Sequence, residues 1–255
     1  MKKIFFLLCL LVGANSLFAA TADDAKAKKL FGNSKQKFSL KNVRLNLDLE
    51  ILDKKGNSKS KSLLVAFGEF NQEKKVMIEI TAPEKVKGTK ILTTNYLDKK
   101  GIIEIYMPAT GKIRKFRANN RNLKLMGSEI PITQFSSIVD SEFSFSLLEN
   151  SEVDGVVCYK IKVQKPDDKA YGIAYVSVKE EYLLRVEKYD NKDQLQSLTV
   201  LSDYMKVKNS TSKFYPKLIH VSNFKSGKSS SMKVISLEYV KNVNVASFQI
   251  ANIKS

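Results

Sequence analysis

The sequence has no tryptophan, one histidine, two cysteines and five prolines in 255 residues. Each shortage removes a class of chemistry. A Ser-His-Asp or Cys-His device would have to be built on His220, and no catalytic motif surrounds either His220 or Cys158. Zinc sites of the histidine/cysteine type need several ligands, and beyond residue 22 the chain offers one of each. Cys9 lies inside the first apolar run, so Cys158 has no internal disulfide partner. Its setting, Val156-Val157-Cys158-Tyr159, reads as a small buried hydrophobe on a strand. The stretch Phe224-Lys225-Ser226-Gly227-Lys228-Ser229 matches only the end of a phosphate-binding loop. The loop's first glycine would fall on Ser222, and no helical pattern follows, so this is read as a hairpin turn. No enzyme activity, metal or cofactor is expected.

Long apolar runs are also missing. Lys2 and Lys3 precede Ile4–Val12, a run too short to span a bilayer, and small residues follow with Ala20-Thr21-Ala22 as an A-x-A site. Residues 1–22 are therefore read as a signal peptide cleaved within 19–22, leaving a soluble, exported, monomeric chain. The net charge is +17, and loss of Lys2 and Lys3 with no acid leaves +15. No nucleic acid is expected as a partner, because no aromatic-basic motif accompanies the charge.

What the sequence has in abundance is alternation. Val43, Leu45, Leu47, Leu49 and Ile51 fall on one side of a strand over Ser39–Asp53, and Arg44, Asn46, Asp48 and Glu50 on the other. A second strand follows over Ser60–Phe70. Four short strands with polar turns fill Val76 to Arg117. Further strands are expected over Phe143–Leu148, Val157–Val163, Tyr171–Val178, Leu183–Tyr189, Gln194–Leu201, His220–Phe224, Lys233–Tyr239 and Val243–Phe248. Asp23–Phe31 has acids first and bases later, which suits a short helix ended by Gly32-Asn33; a solvated arm fits as well. Arg121–Ile138 breaks the period. Leu123, Leu125, Met126, Ile130, Ile132, Phe135 and Ile138 are apolar without alternation, and Gly127 and Pro131 interrupt a helix. The segment is either a lid over an apolar face or a plug that completes the core.

An ordered set of residues carries a resemblance: Pro83, Val86-Lys87-Gly88-Thr89, Asp98, Tyr106, Pro108, Lys112, Arg114 and Met126-Gly127-Ser128. Gly155 to Tyr159 and Glu187 to Asp190 continue it. The chain resembles the LolA-like family of outer-membrane lipoprotein-sorting proteins. Where that family continues with an acidic-aromatic segment, this chain has Glu129-Ile130-Pro131-Ile132. The resemblance implies a mainly β fold: a large curved antiparallel sheet forming an incomplete (half) β-barrel, with a few short helices on the concave face. Residues 23–255 are expected to be one such domain. The resemblance also implies a periplasmic carrier of lipoprotein acyl chains or other lipid, with an inner-membrane transporter and an outer-membrane acceptor as partners.

The residues themselves leave two functions open. The first is apolar carriage. An acyl chain of ~16 carbons at ~0.8 kcal/mol per methylene requires roughly 13 kcal/mol of burial, more than scattered pockets can offset. Leu45, Leu47, Leu49, Val65, Phe67, Ile78 and Ile105 are the expected cavity wall, with Met126 and Phe135 touching cargo from the other side. The second is a basic module that holds anionic envelope polymers or lipid headgroups by charge. Lysines at turns, such as Lys54, Lys55, Lys99, Lys100, Lys225 and Lys228, fit that use or a solvated rim that resists aggregation.

Overall fold

Alternation makes the fold. In a computed structural model of the chain, Val43–Leu52 (β1) buries Val43, Leu45, Leu47 and Leu49 and exposes Arg44, Asn46, Asp48 and Glu50. The described residues are 22–37, 40–71, 73–96, 101–118, 123–135, 142–207 and 214–250, with 134 and 135 described in backbone alone. The proposed signal peptide lies outside them, apart from Ala22.

Twelve more strands continue the pattern: Ser58–Phe70 (β2), Glu73–Ala82 (β3), Lys90–Tyr96 (β4), Ile102–Met107 (β5), Lys112–Arg117 (β6), Ser144–Val153 (β7), Val156–Gln164 (β8), Tyr171–Ser177 (β9), Leu183–Tyr189 (β10), Leu195–Lys206 (β11), Phe214–Asn223 (β12) and Lys228–Tyr239 (β13). They form one sheet in the order β6-β5-β4-β3-β2-β1-β13-β12-β11-β10-β9-β8-β7. Every pairing is antiparallel. The chain thus starts mid-sheet, meanders out to one edge, crosses to the far edge and meanders back until β13 closes against β1. The edge strands β6 and β7 do not pair with each other, so the barrel stays open.

Twelve spacings of a flat sheet would put those edges about 58 Å apart. Twist makes so wide a sheet curl. Register shows which side is inside: Leu45 faces Val65 and Leu237, Val65 faces Ile78, Ile78 faces Ile91, and Ile91 faces Ile105. Phe116 from one edge and Phe145 from the other belong to the same apolar core as Leu45 and Leu47. The dry face is the inner one.

Helix α1 (Ala22–Gln36) lies on that inner face near the β7 edge. It buries Ala27, Leu30 and Ser34, and Phe31 meets Phe145 at 5.4 Å between ring centroids. Asp23 and Asp24 in its first turn and Lys35 in its last complement the helix dipole. The helix does not stop at Gly32-Asn33 as expected. Glycine in a helix costs about 1 kcal/mol, and the packing of Phe31 together with Asn33 Nδ2 donating to Glu181 Oε2 at 3.2 Å outweighs it. The Val243–Phe248 strand is also corrected. Residues 245–248 form a 3-10 turn that lays Phe248 on the outer face, against Phe70 and beside Met77 and Leu92. The strands expected at His220 and Lys233 start earlier, at Phe214 and Lys228. Pro216 is tolerated because β12 pairs with β13 only from Leu218 onward.

The outer face of β8–β10 carries a second cluster around Glu187, which is 5% exposed. Tyr175 and Tyr189 donate to its Oε2 at 3.0 and 2.8 Å, and Arg185 pairs with Oε1 at 2.7 Å. Cys158 is buried beneath, its Sγ donating to the Val156 carbonyl, and burial pushes its thiol pKa up. Burial first raises both Tyr175 and Tyr189 to about 12, followed by the Glu187 charge at Tyr175 and by the hydrogen bond to Glu187 at Tyr189.

Replacing Leu47 with Asp should cost more than about 4 kcal/mol in urea unfolding, because an unpaired carboxylate enters the core. Asn46→Asp, on the wet face, should cost under about 1 kcal/mol; equal losses would show the face assignment to be wrong. The neutral phenols favour folding, so their stabilisation holds below the ordinary tyrosine pKa of about 10 and fades as pH rises through about 12. Alkaline absorbance titration should show Tyr175→Phe and Tyr189→Phe each removing a late-titrating phenol.

Candidate functional site

The connection from β6 to β7 must traverse the mouth of the open sheet, because its ends lie on opposite edges. Its described part, 123–135, is a narrow strap. The Leu125 N–H donates to the Ile130 carbonyl at 2.8 Å, the Ile132 N–H to Leu123 at 2.9 Å, and Lys124 bridges to Pro131. Met126 and Gly127 both take positive φ, 46° and 82°, to reverse the strap. Only glycine adopts this freely, which explains Gly127. Ser128 is fully buried and holds the reversal: its N–H donates to Leu125 and its Oγ accepts from Ile130 N–H at 3.1 Å. The Met-Gly-Ser sequence is thus the tip of the strap, and a 3-10 turn over Ile132–Phe135 follows. The expected irregular, partly helical segment is found; 121, 122 and 136–138 lie outside the described residues.

The underside of the strap is apolar. Leu125, Ile130 and Ile132 are at most 1% exposed and join the core made by the inner face of the sheet. One charged group goes in with them. Glu129 is 7% exposed, and its N–H donates to Ser230 Oγ of β13 at 2.9 Å. Its carboxylate accepts from Asn223 Nδ2 at 2.7 Å and Ser226 Oγ at 3.5 Å, and pairs with Lys124. Burying a carboxylate is costly unless hydrogen bonds replace its water. Here three donors converge on the carboxylate and the backbone N–H finds an acceptor on β13, so Glu129 latches the strap to the β12–β13 hairpin. Ser230 pairs opposite Ile51 and Val221, on the dry face, where an apolar residue would be expected. Its hydroxyl serves the latch.

Two cavities flank the strap where the inner face reaches the rim. One, of about 300 Å³, is lined by Lys124, Glu129, Lys188, Ser197, Thr199 and Lys225, among others. The other, of about 240 Å³, is lined by Ile51, Asp53, Lys59, Lys61, Met126 and Lys228, among others. Neither is an apolar tunnel. The apolar inner face is filled by the strap and α1.

The structure gathers most of the expected cavity wall. Leu45, Leu47, Leu49, Val65, Phe67 and Ile78 are buried side by side on the inner face, and Ile105 is half-buried on the same face. Met126 is half-buried at the strap tip. Phe135 closes the 3-10 turn, and its side chain lies outside the described residues. Sequence reasoning missed Glu129 as the latch; an acid set between a Met-Gly-Ser turn and an apolar Ile-Pro-Ile was the available signal. His220 sits between Ser231 Oγ at 2.9 Å and Ser222 Oγ at 3.1 Å on the outer face, as a hydrogen-bonded strand residue. The Phe224–Gly227 segment is a hairpin turn, as expected.

A family model described as that of an uncharacterized protein matches residues 72–255, most of the chain. The chain belongs to the LolA-like family. Three solved structures share the LolA-like fold. A DUF1329 family protein from Desulfovibrio piger is 19% identical at a TM-score of 0.79, over 92% of this chain and 100% of its own. A domain from Vibrio parahaemolyticus, named for outer membrane lipoprotein sorting, is 16% identical at 0.78, over 90% and 98%. A LolA superfamily protein from Nitrosomonas europaea is 13% identical at 0.67, over 89% and 99%. No curated protein matches the chain in sequence. Among the described residues of this LolA-like chain, no helix is long and apolar enough to cross a membrane.

Glu129→Ala should strand the Asn223 amide and the Ser226 hydroxyl, costing about 1–3 kcal/mol in chemical unfolding. The loss should be concentrated in the strap, with amide exchange at Leu125, Ser128 and Ile132 speeding up far more than at the β1 amides. Uniform acceleration would mean that the latch has no local role.

Proposed function

We propose that this chain is a periplasmic carrier that takes up an acyl-chain-bearing lipoprotein or lipid against the inner face of its open sheet. The observation that carries this reading is a continuous apolar face on a barrel that never closes, covered at its centre by a strap held through one hydrogen-bonded carboxylate. The name of the Vibrio parahaemolyticus structure, for outer membrane lipoprotein sorting, supports the same reading. In it, Leu45, Leu47, Leu49, Val65, Phe67, Ile78 and Ile105 form the wall, and the strap with Met126 and Phe135 is the lid. An inner-membrane transporter that loads the carrier and an outer-membrane acceptor would be its partners.

Magnitudes favour exchange of strap for cargo. Lifting Leu125, Ile130 and Ile132 off the sheet costs about 5–9 kcal/mol at about 1.5–3 kcal/mol each. Burying a chain of ~16 carbons returns roughly 13 kcal/mol. The two rim cavities are lysine-lined openings beside the strap, not the apolar face beneath it. Cargo entry therefore means strap displacement.

Amide exchange of the strap should accelerate when a palmitoylated peptide is added to the full chain, and binding of that peptide should survive 1 M salt, since apolar burial is not screened. Unchanged, slow exchange from Leu123 to Ile132 with cargo bound would make the strap a plug. Loss of binding in salt would replace carriage with charge-driven adhesion to anionic envelope polymers or headgroups.

A further inference from the structure

The inner face changes character along a single row. From the centre toward the turn end, its apolar residues give way to lysines: Leu63 is followed on the same face of β2 by Lys61 and Lys59, which lie opposite Leu49 and Ile51. Across β1, the start of β13 adds Lys228. Lys59, Lys61 and Lys228 line the cavity of about 240 Å³, whose other walls include Ile51 and the strap tip at Met126 and Gly127. Among the described residues, none of the three forms an ion pair.

The one acid in the lining, Asp53, is already committed. Its carboxylate accepts from the N–H groups of Lys55 and Asn57 at 2.8 and 3.0 Å and from Asn57 Nδ2 at 2.9 Å, which closes the β1–β2 turn. Those bonds hold its pKa low. Burial, and then the neighbouring Lys59, push the Lys61 pKa down, so its charge is held at a cost that a bound anion would relieve. Gly127 leaves open space above its Cα, at φ +82°. Three lysines thus line one cavity whose walls also include Ile51 and Met126, at the edge of the apolar core.

We propose that this cavity binds a phosphate monoester or diester, the anionic headgroup of a lipid whose acyl chain runs toward the inner face. The inference rests on the carrier reading and adds the polar end of the ligand. Its chemistry is that of ammonium donors on phosphate oxygens, with charge-assisted hydrogen bonds from Lys59, Lys61 and Lys228. The cavity on the other side of the strap is a weaker candidate, because Glu129 projects into it and Lys124 is paired with that carboxylate.

The test is calorimetric titration of the full chain at fixed ionic strength with two probes: inorganic phosphate, and dihexanoyl phosphatidic acid below its micelle concentration. Both should bind the natural protein, with the lipid at least tenfold tighter. A Lys59→Gln/Lys61→Gln variant should lose about tenfold or more for both probes, while Lys188→Gln/Lys225→Gln, at the other cavity, should lose less than about threefold. Both pairs lie on the rim, and circular dichroism should show each variant folded. Equal losses in the two variants would reduce the effect to diffuse charge and overturn the site. Equal affinity for the two probes would make it a free-phosphate site and overturn the headgroup assignment. Absence of phosphate binding would overturn the inference while leaving the palmitoylated-peptide result, and so the carrier reading, untouched.

Discussion

An open sheet of thirteen strands with one apolar side cannot leave that side to water. Leu45, Leu47, Leu49, Ile78, Ile80, Ile91 and Ile103 alone would expose a face far larger than soluble proteins tolerate. A closed barrel would solve this by filling itself; here the two edges stay apart and the cover has to come from elsewhere. Helix α1 covers the β7 end, and the strap covers the middle. The rest of the structure follows from that need. The chain crosses from edge to edge once, and the crossing is itself the cover.

The strap is held in a way that keeps it separable. Three buried side chains give it adhesion, and one carboxylate gives it position. The Glu129 bonds reach β13 through Ser230 and the β12–β13 turn through Asn223 and Ser226, at the turn end of the sheet. A cover fixed only by apolar packing could slide, and one fixed by several buried ions would be too costly to seat. Here the polar contacts lie in one cluster at one end of the sheet, which leaves the apolar part free to be replaced by anything equally apolar.

Much of this was readable beforehand, for a physical reason. A strand with one dry face must alternate, and the β1 residues from Val43 to Leu49 do so without exception, so their direction was evident. Strand β10 began and ended as expected, with the Asp190–Asp193 turn to stop it. Strand order was not readable: alternation gives the face of a strand and says nothing of its neighbours. The start of β13 was hidden because Ser229, Ser230 and Ser231 have the composition of a loop. They are strand residues because the ladder to β1 and the latch both use them. Helix α1 ran past Gly32 because tertiary contacts outweighed propensity. The residues that carry the family resemblance are largely turn devices: Gly88 takes φ 77°, Thr89 Oγ1 donates to Val86, and Met126-Gly127-Ser128 bends the strap. A recognisable motif here marked geometry before it marked function.

The seam between β1 and β13 has a consequence for how the molecule comes into being. Asn46 Nδ2 donates to Ser236 Oγ at 2.7 Å across 190 positions of sequence, and the β1–β13 ladder waits on the last strand in the chain. Strands β1 to β6 can zip as local hairpins, and so can β7 to β13, but each half would keep one bare edge, on β1 or on β13, until the other arrives. Contacts of such separation are late and slow to form. The half-built state therefore carries two bare ladder edges, and a chain released before β13 is complete would be open to pairing with its neighbours.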